Sequence, residues 1–142
     1  MYRIFPSPKH CTFYHNTLSC TSYGTVTTAP EIEESCRAAG FDPSTLLAAV
    51  FPGGFSPEGI TLTAEYVSCA PEGFQLNIAP SGIRISCGDG AGFFYALGVL
   101  VQLAAQADGA LPCAEIADEP ALSVRGIMLD IGRDKIPSME TL

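Results

Sequence analysis

The stretch Phe74-Gln75-Leu76-Asn77-Ile78-Ala79-Pro80-Ser81-Gly82-Ile83-Arg84-Ile85-Ser86-Cys87, followed by Asp89-Gly90-Ala91-Gly92-Phe93-Phe94-Tyr95-Ala96-Leu97-Gly98-Val99-Leu100-Val101-Gln102, decides the fold class. Phe74, Leu76 and Ile78 alternate with Gln75 and Asn77, and Ile83, Ile85 and Cys87 alternate with Arg84 and Ser86. A period of two marks strands with one buried and one solvated face, and Pro80-Ser81-Gly82 supplies the turn between them. The glycine-rich segment then leads into a helix over 91–107, with Asp89 as N-cap and Asp108-Gly109 as its stop. That helix is apolar nearly all round, so more than one of its sides must be covered. Its unbroken apolar run is too short to span a bilayer. Strands on one side of a covering helix predict an α+β fold, with an antiparallel/mixed sheet and helices packed on one face.

Outward from this stretch the same logic applies. Ile60, Leu62, Ala64 and Tyr66 alternate with Thr61, Thr63 and Glu65, which reads as a third strand, also antiparallel. Cys11–Tyr14 and Gly24–Thr28 read as short strands, and Leu111–Ala117 as a later one. Glu31–Ala39 and Pro43–Val50 read as helices, ended by Gly40 and by Pro52-Gly53-Gly54. Near the C-terminus, Ser123–Ile131 carries the continuous run Ile127-Met128-Leu129, which suits a strand buried on both faces, as in a parallel sheet. Pro137 then opens a helix that reaches Leu142 within about one turn, too short to persist alone. The pattern is one α+β domain, residues 1–120, plus the start of a second, residues 121–142.

The 142 residues carry 15 acidic and 7 basic side chains, a net charge of −8, and 47% hydrophobic residues. This composition excludes a disordered chain, and the scattered basic residues argue against nucleic acid. The six cysteines, at 11, 20, 36, 69, 87 and 113, contain no Cys-x-x-Cys pair. The N-terminal residues have no apolar signal core, so reduced thiols and a cytoplasmic protein are expected. No metal and no cofactor is called for, and no membrane partner. Gly88-Asp89-Gly90-Ala91-Gly92 fits neither a P-loop nor a dinucleotide fingerprint, and a tight strand-to-helix turn explains it. His10 and His15 have no acid partner at a recognisable spacing. Asp130, Arg133 and Asp134 follow the apolar strand, where residues of a parallel sheet face a ligand, although a surface ion-pair cluster accounts for them too.

Four pieces of the chain, in order, resemble the glycoside hydrolase family 20 β-N-acetylhexosaminidases. They are the strand pair Phe74–Ile78 and Gly82–Cys87, and Ala91-Gly92-Phe93-Phe94-Tyr95-Ala96-Leu97, similar to "A-G-x-F-Y-G-L". Leu111-Pro112 with Ile116, Asp118, Glu119 and Pro120 is similar to "L-P-x-x-x-I-x-D-x-P". Arg125-Gly126-Ile127-Met128-Leu129-Asp130-Ile131-Gly132-Arg133 is similar to "R-G-x-M-L-D-x-S-R". Residues 1–72 add little. The resemblance implies that residues 1–120 are the accessory domain and that 121–142 begin a (β/α)8 catalytic barrel. The barrel would then cover the second side of the apolar helix.

The family hydrolyses terminal N-acetylhexosamine with retention, the substrate's own acetamido carbonyl serving as nucleophile. An Asp holds that group and the adjacent Glu is the general acid. This pair would fall beyond Leu142, leaving no catalytic residue here. Arg133 matches the Arg that binds sugar hydroxyls, and Asp130 matches a supporting Asp. Gly132-Arg133-Asp134 departs from the usual Ser-Arg-His and leaves substrate preference open. The partners implied are the chain's own barrel and an N-acetylhexosaminide. Exposed apolar surface on an isolated piece would favour a homodimer. Two other readings compete: a self-standing α+β interaction module, and the accessory domain of another barrel-type glycosidase.

Overall fold

The computed structural model describes residues 2–126 and Ser138. In chain order the elements are β1 (His10–Ser19), β2 (Tyr23–Thr28), α1 (Pro30–Ala38), α2 (Ser44–Val50), β3 (Ile60–Tyr66), β4 (Phe74–Ala79), β5 (Gly82–Cys87), α3 (Gly90–Gln106) and β6 (Ala110–Asp118). The strands form one sheet in the order β1-β6-β4-β5-β3-β2. β4 pairs antiparallel with both β5 and β6, and β1 antiparallel with β6, whereas β2–β3 and β3–β5 are parallel. The fold is therefore α+β on a mixed sheet.

Three expectations change. β3 is parallel to β5, not antiparallel, because β3 and β4 are separated in the sheet by β5. Alternation reveals which face of a strand is buried and says nothing of its partner. Tyr66, placed on the buried face with Leu62 and Ala64, is half exposed at the strand end. β1 runs to Ser19, five residues beyond its expected end; it is an edge strand with a register shift between Phe13 and Thr17, and only Leu18 is buried, so no alternation marks its full length. The strand expected over 123–131 and the helix after Pro137 fall almost wholly outside the described residues.

The core lies between the sheet and the helices. β4 and β5 contribute Phe74, Leu76, Ile78, Ile83, Ile85 and Cys87, and α3 answers with Phe93, Ala96, Leu97, Leu100 and Leu103, all buried. The spacing of the α3 set is the i, i+3, i+4, i+7 stripe of a helix lying on a sheet. The opposite sheet face carries Thr61, Thr63, Glu65, Gln75, Asn77, Arg84 and Glu115 in an open polar trough. Asp89 caps α3 through Oδ1, which accepts the Gly92 N–H at 2.7 Å, as its position before the helix predicts.

The start of α3 is held close to its neighbours. A Cβ on Gly92 would lie 2.3 Å from the Gly73 carbonyl oxygen, and one on Gly90 2.8 Å from the Cys36 nitrogen. The Gly90 N–H also donates to Ser35 Oγ of α1 at 2.8 Å. Close packing, and not an anion, accounts for these glycines.

Candidate docking groove

The stripe of α3 that faces away from the sheet is partly covered within the domain. Phe94 meets Phe41 edge-to-face, with ring centroids 5.0 Å apart. Farther along, the chain's own N-terminal segment crosses the helix. Gln106 accepts from the Arg3 N–H at 2.8 Å and donates to the Arg3 carbonyl at 2.6 Å. Gln102 does the same for Phe5, at 2.8 and 3.0 Å. Two glutamines one helical turn apart thus pair with the backbone of alternate residues, Arg3 and Phe5, of the N-terminal segment. Nothing local in the sequence marks the N-terminal strap. The pairs join residues 97 and 103 positions apart, beyond any local signal.

Between this strap and the chain leaving β6 lies a groove of about 440 Å³. Phe94, Tyr95, Gly98 and Val99 form its floor; Phe5 and Pro6 form one wall, and Pro120 and Ala121 the other. Phe5 is 86% exposed and Val124, just past the groove, is also 86% exposed. Polar groups edge it. Lys9 Nζ meets Glu119 Oε1 at 2.9 Å, and the Lys9 N–H donates to Asp118 Oδ1 at 3.2 Å. Asp118 and Glu119 therefore tie the N-terminal segment to the end of β6. On the other side Arg125 donates to the Glu72 carboxylate and, at 3.1 Å, to the Tyr95 hydroxyl. An apolar floor with a charged rim is the anatomy of a protein-docking surface.

The two residues proposed from sequence as sugar-site groups, Arg133 and Asp130, lie outside the described residues, as does Asp134. His10 and His15 are exposed on β1, and no group of three His, Cys, Asp or Glu side chains that could hold a metal occurs among the described residues. All six cysteines are free thiols; Cys20, Cys36, Cys87 and Cys113 are buried, whereas Cys11 and Cys69 are exposed. Burial, then the nearby Asp89 carboxylate, pushes the Cys87 thiol up to about 12. Among the described residues no helix is long and apolar enough to cross a membrane.

Known proteins resemble the chain in sequence and in fold. A β-hexosaminidase of Vibrio vulnificus is 28% identical over 131 residues, covering 92% of this chain and 15% of its own length. A β-hexosaminidase of Akkermansia muciniphila is 33% identical over 72 residues, covering 49% of the chain and again 15% of its own length. The crystal structure of the β-N-acetylhexosaminidase from Bacteroides fragilis superposes with a TM-score of 0.70 at 24% identity, over 94% of this chain and 28% of that one. The chain thus spans about 15% of the length of the curated relatives it matches. The sequence profile of glycosyl hydrolase family 20, domain 2, matches residues 1–119, and the chain belongs to that family.

Proposed function

We propose that this domain is the non-catalytic N-terminal part of a retaining, substrate-assisted β-N-acetylhexosaminidase, and that its work is to seat the catalytic barrel that follows it in the same polypeptide. The observation that carries this reading is the groove on α3. It is apolar, and it lies beside the point where the chain leaves β6. Relatives named β-hexosaminidase extend far beyond the matched region, which supports the barrel as occupant. In this reading residues 1–120 are the accessory domain and 121–142 begin the barrel. Arg133 hydrogen-bonds hydroxyls of the terminal N-acetylhexosamine, and Asp130 supports the strand end. The acid and the acetamido-orienting carboxylate come from farther along. The intact enzyme works in the cytoplasm, and needs no cofactor.

A pair of proteins tests this: the 142-residue chain, and the chain extended through its downstream coding sequence. With a chromogenic N-acetyl-β-glucosaminide the extended protein turns over and the 142-residue chain does not. Without the carboxylate pair nothing protonates the leaving group or orients the acetamido nucleophile. In the extended protein Arg133→Ala lowers kcat/KM by removing charge-assisted hydrogen bonds worth about 1.5–3 kcal/mol each. Turnover by the purified 142-residue chain, or unchanged kinetics in Arg133→Ala, contradicts the corresponding assignment.

A further inference from the structure

Arg125 entered the sequence reading only as a letter of a motif, and the groove does not by itself explain it. Its guanidinium gathers three separate segments. Nη1 donates to the Leu122 carbonyl at 2.5 Å, closing the turn in which the chain leaves β6. Nη2 donates to Glu72 Oε2, in the β3–β4 loop, and to Tyr95 Oη on α3 at 3.1 Å. Tyr95 Oη in turn donates to Glu72 Oε2 at 3.2 Å, and the guanidinium carbon lies 6.0 Å from the Tyr95 ring centroid. The Glu72 carboxylate, then the Tyr95 hydroxyl, hold the guanidinium above its ordinary pKa.

Glu72 is itself fixed from behind. Its φ is +61°, a conformation uncommon for a residue with a side chain. Its N–H donates at 2.8 Å to Asp89 Oδ2, the other oxygen of the carboxylate that caps α3. An unbroken chain of hydrogen bonds therefore runs from the N-terminus of α3 through Asp89, Glu72 and Arg125 to the exit turn. The Arg125 and Glu72 side chains are 40% and 28% exposed. A pair this wet adds little to global stability. What it does is fix a direction.

We propose that Asp89, Glu72, Tyr95 and Arg125 form a clasp that sets the direction in which the polypeptide leaves this domain, and so positions the domain that follows relative to α3. The proposal rests on the reading that a catalytic domain follows. Arg125 is a positioning residue, acting through the backbone of residues 122–126.

Amide hydrogen exchange of a peptide covering residues 70–74, in which the Glu72 and Gly73 N–H groups are hydrogen-bonded, tests the clasp in the 142-residue chain, without reference to any activity. Glu72→Asn keeps a residue that tolerates positive φ and removes the carboxylate, and Arg125→Glu reverses the cation. Each is expected to speed exchange about five- to tenfold, the size of one ordinary net hydrogen bond lost at a half-exposed site. Tyr95→Phe gives a smaller change. The exchanged pair Glu72→Arg/Arg125→Glu restores protection to within about twofold, which a merely crowded surface would not do. Equal exchange in all variants overturns the clasp. In the extended protein Arg125→Glu is expected to lower kcat severalfold with KM and the melting temperature little changed, and the exchanged pair to recover it. Lost protection with kcat unchanged overturns the positioning role. An extended wild-type protein without hexosaminidase turnover counts against the proposed function alone, since the exchange result still decides the clasp.

Discussion

Two alanine substitutions about nine ångströms of helix apart should move stability in opposite directions, because Gly92 and Gly98 sit in α3 for different reasons (six residues at about 1.5 Å rise each). A Cβ on Gly92 would meet the Gly73 carbonyl oxygen at 2.3 Å and Cys87 Cβ at 3.2 Å. The first contact is about 1 Å inside van der Waals separation. The obstruction is backbone, so the helix start must retreat, dragging the Asp89 cap and buried Phe93 with it. Overpacking of this kind costs about 1–3 kcal/mol or more, and the gain in helix propensity from Gly to Ala, at most about 1 kcal/mol, does not offset it in the first turn. Gly92→Ala is therefore expected to lose about 2 kcal/mol. A Cβ on Gly98 meets nothing within 4 Å, because it projects into the groove. Gly98→Ala should gain about 0.5–1 kcal/mol in the isolated chain. For a domain of this size each kcal/mol shifts Tm by about 3–5 °C. Thermal and urea unfolding followed by circular dichroism gives both values. Shifts of the same sign in the two variants would refute the account of α3 packing.

Three other outcomes follow from particular contacts. Gln102→Ala/Gln106→Ala removes four hydrogen bonds to the strap, each worth about 0.5–1.5 kcal/mol net at most; limited proteolysis at Arg3 should accelerate markedly, and unchanged cleavage would contradict the strap. Burial holds Cys87 protonated in the fold up to about 12, against an ordinary thiol value of 9.0, so its contribution is fully present below pH 9 and is lost as pH rises from about 9 towards 12. Between those values the unfolded state has released a proton that the native state keeps. Stability should therefore fall by up to about 1.4 kcal/mol per pH unit for this thiol, a slope that Cys87→Ala reduces, burial pushing the Cys20 and Cys36 thiols up as well; urea unfolding between pH 8.5 and 11 checks this. The groove left open in the 142-residue chain should drive self-association, seen as a concentration-dependent mass in light scattering and weakened by Phe5→Ser; a strict monomer at all concentrations would count against it.

Local pattern carried the elements whose causes are local. The β4–β5 hairpin follows from two alternating runs around Pro80-Ser81-Gly82, and α3 with its Asp89 cap from composition and a stop. What stayed hidden depends on distant partners. The parallel pairing of β3 with β5 is a matter of sheet order, which alternation does not encode. The far end of β1, Thr17 to Ser19, is not legible because an exposed edge strand with only Leu18 buried shows no period of two. Gln102 and Gln106 carry no local signal of the strap, since glutamine on a helix says nothing about a distant segment lying across it. Glu72 and Arg125 are separated by 53 residues, and neither carries a local mark of the other. The covering of α3 was half legible: its apolar circumference called for a second layer, and strap, Phe41 and helices supply part of it, leaving the groove.

The most direct test of the central claim is a structure-independent measurement of whether the groove on α3 seats the rest of the enzyme. Gly98→Trp should fill the groove floor without touching the core, since Gly98 has open space around it. In the protein extended past Leu142, thermal unfolding of the two parts is expected to couple in the wild type and to separate into two transitions in Gly98→Trp, with hexosaminidase turnover reduced. A single shared transition and wild-type turnover in Gly98→Trp would contradict the assignment of this face to the catalytic domain.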